Sequence, residues 1–242
     1  MKRFLSLVLV FLMIFALSAC NNDDPTLDGG PKTINGGQPS VSLSQFSGKL
    51  IEPTMKLIAS GNYMYQTTID GVSATYATTD NGQNMLFTMP TKEGTISYIK
   101  MGSAEYIAFP TQKLYGDLTD AIKQKYDLTN IGNLASSLDL RIFLNTTFAE
   151  EGTITYENVL YKYEDYFSPT TQVTSRFLFE SETGTLRYFG AIDASGNLRA
   201  LPAVLAVYEA TSDVFNVVST YKRVSEQELL SAKVDPSSVS TQ

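Results

Sequence analysis

Hydrophobic and polar residues follow one another along this chain in blocks that predict its elements. A charge-free, mostly apolar run extends from Phe4 to Leu17, and residues 21–40 consist largely of Asn, Asp, Gly, Pro and Ser. Residues 41–60 then carry apolar side chains at helical spacing, with Pro53 as a point where the helix must kink or restart. These blocks predict a leader, a flexible tether and an amphipathic first helix.

From residue 62 onward, short β-prone runs alternate with glycine-containing turns. The turns are Asp70-Gly71, Asn81-Gly82, Glu93-Gly94 and Met101-Gly102. The runs between them are rich in Tyr, Thr, Ile and Phe and cover residues 62–69, 72–78, 84–89, 95–100 and 104–109. Strands of this length separated by turn residues are typical of an antiparallel meander.

Helical spacing returns after the meander and is followed by a second set of strands. Leu114, Leu118, Ile122 and Tyr126 recur every four residues, which predicts a surface helix, and residues 131–138 predict a second one. The next strand candidates, with turns at Glu151-Gly152, Thr183-Gly184 and Ser195-Gly196, are residues 140–148, 153–160, 161–167, 174–180, 185–192, 203–210 and 215–221. Ser225 and Glu228 have capping-box spacing, which predicts a last short helix.

The first twenty residues form an export signal. Lys2 and Arg3 precede the apolar run, and the run is shorter than the roughly 18 residues of a membrane-spanning helix. Leu17-Ser18-Ala19-Cys20 ends it and resembles the lipobox of bacterial lipoproteins. The resemblance implies that residues 1–19 are removed and that Cys20, the only cysteine, is lipidated and anchors an extracytoplasmic protein to a bacterial membrane. No cysteine then remains for a disulfide bond.

Composition narrows the range of partners and domains. The chain carries 18 Lys and Arg against 25 Asp and Glu, a net charge of −7, and removal of the leader makes it more acidic. This balance excludes nucleic acid as a partner and argues against electrostatic adhesion to anionic lipids. The hydrophobic fraction of 43% suffices for one core in residues 41–230. Residues 20–40 are then the lipidated tether, and residues 231–242 form a polar tail.

Several segments of the core region resemble a known group of carriers. They are Asn62-Tyr63-Met64-Tyr65, residues 161–166, residues 176–179 followed by 184–188, and residues 215–221 before Lys222. With the order of leader, helix, meander, helical insertion and second meander, they resemble the LolA and LppX superfamily. This resemblance implies an α+β fold in which a single strongly curved antiparallel sheet, a half-barrel, wraps two or three helices. It also implies a hydrophobic cavity between sheet and helices that accepts acyl chains.

Pairs of large apolar side chains occur at i and i+2 in three predicted strands, so each pair points to one face of its strand. These candidate ligand-binding residues are Tyr63 with Tyr65, Phe87 with Met89, and Phe177 with Phe179. The same spacing is also typical of an ordinary hydrophobic core, which is the more common use of such pairs.

The residue inventory argues against catalysis. The chain has no histidine, which removes Ser-His-Asp triads, Cys-His pairs and histidine metal sites, and acylation occupies the thiol of Cys20. Ser97 with Lys100 and Ser219 with Lys222 match a Ser-x-x-Lys spacing. Both pairs fall in predicted strands, where i and i+3 point to opposite faces. The sequence predicts a non-enzymatic protein without a metal or cofactor.

Two functions fit these observations. The first is a membrane-anchored protein that binds a lipid or another hydrophobic molecule in a cavity between sheet and helices. The second is a protein-interaction or envelope-sensing module, in which the sheet presents a docking surface to an envelope protein. A continuous cavity lined by aromatic residues would favour the first, and a sealed core with an exposed apolar patch would favour the second.

Overall fold

The computed structural model describes residues 42–69, 72–91, 94–192, 196 and 203–232. The α-helices in these ranges are α1 (Glu52–Ala59), α2 (Asp120–Lys125), α3 (Ile131–Ser137), α4 (Val217–Thr220) and α5 (Glu226–Ser231). The strands are β1 (Tyr63–Ile69), β2 (Val72–Thr79), β3 (Asn84–Thr91), β4 (Gly94–Met101), β5 (Ala104–Phe109), β6 (Leu114–Asp117), β7 (Thr147–Tyr156), β8 (Val159–Ser168), β9 (Val173–Glu180), β10 (Leu186–Ala191), β11 (Ala203–Glu209) and β12 (Lys222–Arg223). Short 3₁₀ helices cover Ser44–Phe46, Asp80–Gly82, Leu140–Asn145 and Ser212–Phe215.

All twelve strands belong to one open sheet. Their order across the sheet is β12-β6-β5-β4-β3-β2-β1-β11-β10-β9-β8-β7, and each neighbouring pair is antiparallel except β12 with β6. Two meanders, β1–β6 and β7–β10, therefore lie side by side. Strand β11 joins them, because it pairs with β1 on one side and with β10 on the other.

One face of the sheet, called the inner face here, packs against helices and forms the main core. Apolar residues of α1, α2, α3 and α5 and of the Leu140–Asn145 turn join inward side chains of both meanders in a single cluster. Burying one face of a sheet under helices is the usual way to cover it. The predicted α+β class, with one antiparallel sheet around helices, is confirmed.

The opposite, outer face of the first meander has a smaller core of its own. The segment 212–221, called the strap here, places Phe215 against Ala77, Ile99 and Ala108 of the sheet. The small alanine side chains leave room for the phenylalanine ring, which is almost fully buried. The prediction of a strand over residues 215–221 is wrong. This segment forms the end of a 3₁₀ turn and helix α4, and its apolar side chains cover the outer face of the sheet.

The predicted helix over Leu114–Tyr126 is also wrong in its first half. Leu114–Asp117 is strand β6, which pairs with β5, and helix α2 begins only after Thr119. The Thr119 side chain accepts a hydrogen bond from the N–H of Ile122 and so caps the helix. The four-residue spacing was misleading because Leu114 and Leu118 reach the same core from two different elements.

The start of the second meander differs as well. Residues 140–145 form a 3₁₀ turn and not a strand, and β7 and β8 are longer than expected. Their turn lies at Glu157-Asn158, where both residues have positive φ, and not at Glu151-Gly152. Gly152 lies inside β7, where a Cβ atom would meet the Tyr163 ring at 2.9 Å. Its glycine therefore reflects close packing.

The first helix is shorter than the predicted 41–60, because α1 begins at Glu52 and only a 3₁₀ turn at Ser44–Phe46 precedes it. Pro53 lies in the first turn of α1, where proline is tolerated. The other predicted elements in the described ranges agree with the structure within a few residues. The Ser225–Glu228 capping box is present. Cys20, the leader, the tether and residues 233–242 lie outside the described residues. Within the described part, no helix is long and apolar enough to cross a bilayer.

Candidate functional site

The six candidate ligand-binding residues all lie on the inner face. Tyr63, Tyr65, Phe87, Met89, Phe177 and Phe179 belong to one hydrophobic cluster, and each is at most 9% exposed. A side chain with so little accessible surface has protein atoms around it on nearly every side. The structure thus brings the six residues into one core from both meanders.

The two tyrosines are held by hydrogen bonds to the segment between α3 and β7. Tyr63 donates to Asp139 Oδ1 at 2.7 Å and accepts from the N–H of Leu140 at 2.7 Å. Tyr65 donates to the carbonyl oxygen of Leu138 at 2.7 Å. Burial, followed by the nearby Asp139 carboxylate, raises the pKa of Tyr63 far above its usual value. Both hydroxyls are therefore neutral and already partnered.

Asp139 connects this core to the surface. Its carboxylate also accepts hydrogen bonds from the backbone and side chain of Arg141, and Arg141 reaches the carbonyl oxygen of Asn81 in the β2–β3 turn. Burial alone would raise the pKa of Asp139, but the hydrogen bonds from Arg141 and Tyr63 outweigh it and hold that pKa below its usual value. Asp139 therefore stays charged and joins three elements.

Phe177 of β9 belongs to an aromatic group on the same face, on which Phe179 is also buried. Phe177 lies 5.1 Å from Phe143 and 5.8 Å from Tyr166, measured between ring centroids, and both pairs are edge-to-face. Phe177 also stacks on Phe189 at 6.1 Å. Ring pairs of this geometry stabilise a core beyond the area that they bury. An acyl chain entering here would have to displace these rings from one another.

Glu164 is a buried carboxylate that fixes helix α1 on the inner face. It is 2% exposed and accepts hydrogen bonds from the N–H of Leu50 at 2.6 Å, from that of Ile51 at 3.1 Å and from the Tyr166 hydroxyl at 3.2 Å. The first N–H groups of a helix have no partner within the helix, and a carboxylate there also interacts favourably with the helix dipole. Glu164 therefore has a structural role.

The β7–β8 hairpin carries two of the most exposed large apolar side chains among the described residues, and the sequence contains no direct sign of them. Val159 and Leu160 follow its turn and are 49% and 56% exposed. On the outer face, Tyr188 packs edge-to-face with Tyr156 at 5.1 Å and with Tyr161 at 5.6 Å. The signal that could have located this hairpin is Asn158, since Asn accepts the positive φ of a two-residue turn.

A charged network lies beside these tyrosines on the outer face. Arg176 forms two hydrogen bonds of 2.7 Å with Asp165, contacts Glu150 at 3.2 Å and lies 3.8 Å above the Tyr163 ring. Burial raises the pKa of Asp165, although the Arg176 hydrogen bonds oppose that rise. The network joins β7, β8 and β9 across the hairpin.

The catalytic alternatives gain no support from the geometry. The residues that the structure describes contain no group of three or more His, Cys, Asp or Glu side chains that could hold a metal ion. Ser97 and Lys100 lie in β4, as expected. Ser219 lies in α4 and not in a strand, its hydroxyl donates to the carbonyl oxygen of Asn216 at 3.0 Å, and Lys222 pairs with Glu228 at 3.7 Å.

Comparisons with solved structures find matches of low similarity. No protein-family model and no curated protein matches the chain. A conserved protein from Thermus thermophilus is 7% identical, with a TM-score of 0.33, and the alignment covers 77% of this chain and 94% of that one. An outer membrane lipoprotein-sorting protein domain from Vibrio parahaemolyticus is also 7% identical, with a TM-score of 0.31, and the coverage is 74% and 95%.

The Pseudomonas aeruginosa MucA/MucB complex is similar at the same level. It is 9% identical, with a TM-score of 0.31, and the alignment covers 74% of this chain and 60% of that one. TM-scores this low establish neither membership of a family nor a function. The likeness to the LolA and LppX superfamily therefore stays a resemblance.

Proposed function

We propose that this chain is a membrane-anchored, extracytoplasmic, non-enzymatic module that binds another protein of the cell envelope. The leader and its terminal cysteine support the location and the anchor, and the lack of any histidine supports a binding role over catalysis. Between the two functions that fit the sequence, the packing of the inner face favours protein interaction.

The observation that carries this choice is the state of the six candidate residues. A site for an acyl chain needs apolar protein surface that the protein does not already cover. The bound chain then gains about 0.8 kcal/mol for each of its methylene groups that moves from water onto that surface. The six side chains are at most 9% exposed, and both tyrosine hydroxyls are hydrogen-bonded to the protein. Their apolar surface is already covered by the chain itself.

A lipid-binding experiment tests the proposal. The full-length protein, purified in a detergent unlike natural lipids, is extracted with organic solvent for mass spectrometry and is titrated separately with a fluorescent fatty acid. We expect no amphiphile at one-to-one stoichiometry and no saturable binding, with serum albumin as the positive control. An equimolar lipid, or fatty-acid binding that Phe177→Trp abolishes, would contradict the proposal and favour a carrier.

A further inference from the structure

The sheet has two ends, and they differ greatly in what they offer a partner. At one end lies β12, which has two residues, pairs with β6 and leads directly into helix α5. At the other lies β7, which has ten residues and, among the described strands, pairs only with β8. A long end strand exposes a row of backbone N–H and C=O groups, a template for an added strand.

The hairpin register shows which groups of β7 point away from the sheet. Tyr156 and Val159 flank the two-residue turn, and such a flanking pair exchanges both backbone hydrogen bonds. Because hydrogen-bonded and non-hydrogen-bonded pairs alternate, Ile154 also bonds to β8, whereas Thr153 and Thr155 direct their N–H and C=O groups outward. Two successive outward positions thus form a short docking ladder.

Natural edge strands are usually protected, and within the described residues this part of β7 carries none of the usual protecting features. Its bulge lies between Phe148 and Glu150, away from the hairpin end. Residues 153–156 read Thr-Ile-Thr-Tyr, with no proline, lysine or glycine. A regular β-prone edge without these devices is suited to pairing with another chain.

The side chains along the edge indicate the chemistry of the partner. Ile154 and Tyr156 are half-buried on the outer face, where Tyr156 packs against Tyr188 and Ile154 lies opposite Tyr161. Thr153 and Thr155 are exposed on the inner face. Because cross-strand neighbours pack in pairs, the matching strand has aliphatic or aromatic residues on the outer side and Thr or charged residues on the inner side.

The acidic residues near the β7 edge indicate the sign of the partner's charge. The side chains of Glu150 and Glu151 are 60% and 58% exposed at the start of the edge, where they form ion pairs with Arg176 at 3.2 Å and with Lys49 at 2.9 Å, and Glu157 is exposed at its end. An antiparallel second copy would bring these acidic groups close to one another, whereas Lys or Arg of a basic strand would lie beside them.

We propose that the β7 edge is a docking site for an extended, basic segment of another protein, which adds to the sheet as an antiparallel strand. This inference rests on the proposed function and identifies its binding surface. Backbone hydrogen bonds supply the affinity in this mode, and the alternating side chains supply the specificity.

The test uses a synthetic peptide in which Val or Tyr alternates with Lys or Thr, added to the full-length protein in detergent. Tyr156→Trp supplies a fluorescent reporter, because the chain contains no tryptophan. We expect saturable binding that protects the amides of residues 153 and 155 from hydrogen exchange. The same peptide with alternate N-methylated amides is expected not to bind.

Proline variants separate edge docking from other contacts. Thr153→Pro removes an outward N–H and spares the ladder with β8, so we expect about tenfold weaker binding, whereas Thr153→Ala stays within about threefold. Thr155→Pro is the second variant if the first one does not fold, as judged by circular dichroism. Binding unchanged by a folded proline variant, absence of peptide binding, or a concentration-dependent dimer that Thr153→Pro abolishes would each overturn the docking proposal.

The lipid-binding and peptide-binding experiments can contradict the two proposals separately. An equimolar lipid in the core alongside intact peptide binding contradicts the proposed function and leaves the docking edge in place. An empty core without peptide binding contradicts the docking edge alone.

Discussion

At the scale of single residues, a few buried polar groups hold the packed elements together. Glu164 accepts three hydrogen bonds at the start of α1, and Asp139 joins Tyr63 to Arg141. From the sequence, these residues can be recognised only as acidic, and their structural role cannot be predicted, because most of their hydrogen-bond partners lie far away along the chain. The i and i+2 pairs of large apolar side chains could be placed on one strand face from sequence, but their role as ligand contacts remains a prediction.

Glu164→Gln is expected to destabilise the fold. The amide keeps one acceptor oxygen, but its NH₂ group then faces the backbone N–H of either Leu50 or Ile51, which loses its hydrogen-bond partner. We expect a loss of about 2 kcal/mol in the free energy of unfolding, measured by urea titration with circular dichroism. Glu182→Gln, at an exposed position of the β9–β10 turn, is the control and should stay within about 0.5 kcal/mol. Equal effects of the two substitutions would contradict the role of Glu164.

The Asp139 carboxylate is expected to make stability depend on acid pH. Its pKa is lower in the folded than in the unfolded chain, where it is close to 3.8, so its contribution is fully present above that value. The contribution is lost as pH falls through the lower folded value. The difference in free energy of unfolding between the wild type and Asp139→Asn should therefore be large at pH 6 and shrink below pH 3.8. A difference independent of pH would show that charge plays no part.

At the scale of elements, the first meander could be predicted closely and the second less well. Glycine turns separate β1–β5 in the sequence, so local chemistry was enough. The β7–β8 turn is formed by Glu157 and Asn158. Glu151-Gly152 has the sequence of a turn, but Gly152 lies inside β7, packed against the Tyr163 ring. The apolar residues 215–221 match a strand, but tertiary packing places them across the outer face as part of the strap.

Helix α5 provides a test of packing between elements. Leu229 of α5 is fully buried, and a Cβ atom on Gly116 of β6 would lie 2.7 Å from its Cδ1 and 2.8 Å from the carbonyl oxygen of Val224. Gly116→Ala should therefore destabilise the protein by about 1–3 kcal/mol in thermal or urea unfolding.

Gly132→Ala is the matched control for this experiment. Gly132 lies in helix α3, and its added Cβ would have no neighbour closer than 3.5 Å. Since alanine is the better helix former, we expect a stability equal to or up to about 1 kcal/mol above that of the wild type. Destabilisation of the same size in both variants would argue against a specific contact between α5 and β6.

At the scale of the whole molecule, the described residues form one sheet with cores on both faces, and the sequence predicts a tethered lipid anchor. Cys20→Ser should shift the protein from the detergent phase to the aqueous phase in detergent partitioning, because it removes the acyl chains that hold a lipoprotein in the bilayer. Alanine in place of exposed Ser231 is the control and should partition like the wild type. Equal partitioning of Cys20→Ser and wild type would show that the anchor assignment is wrong.

The pairing of β1 with β11 has a consequence for the time course of folding. Tyr63 lies opposite Glu209, so the centre of the sheet closes only when residues from nearly opposite ends of the domain meet. Contacts this distant in sequence form slowly, since a long loop must close first. A chain crossing a membrane from its N-terminus would therefore emerge with β1 unpaired on one side until β11 followed. If the leader directs export, as proposed, late closure would keep the polypeptide unfolded while it crosses the membrane.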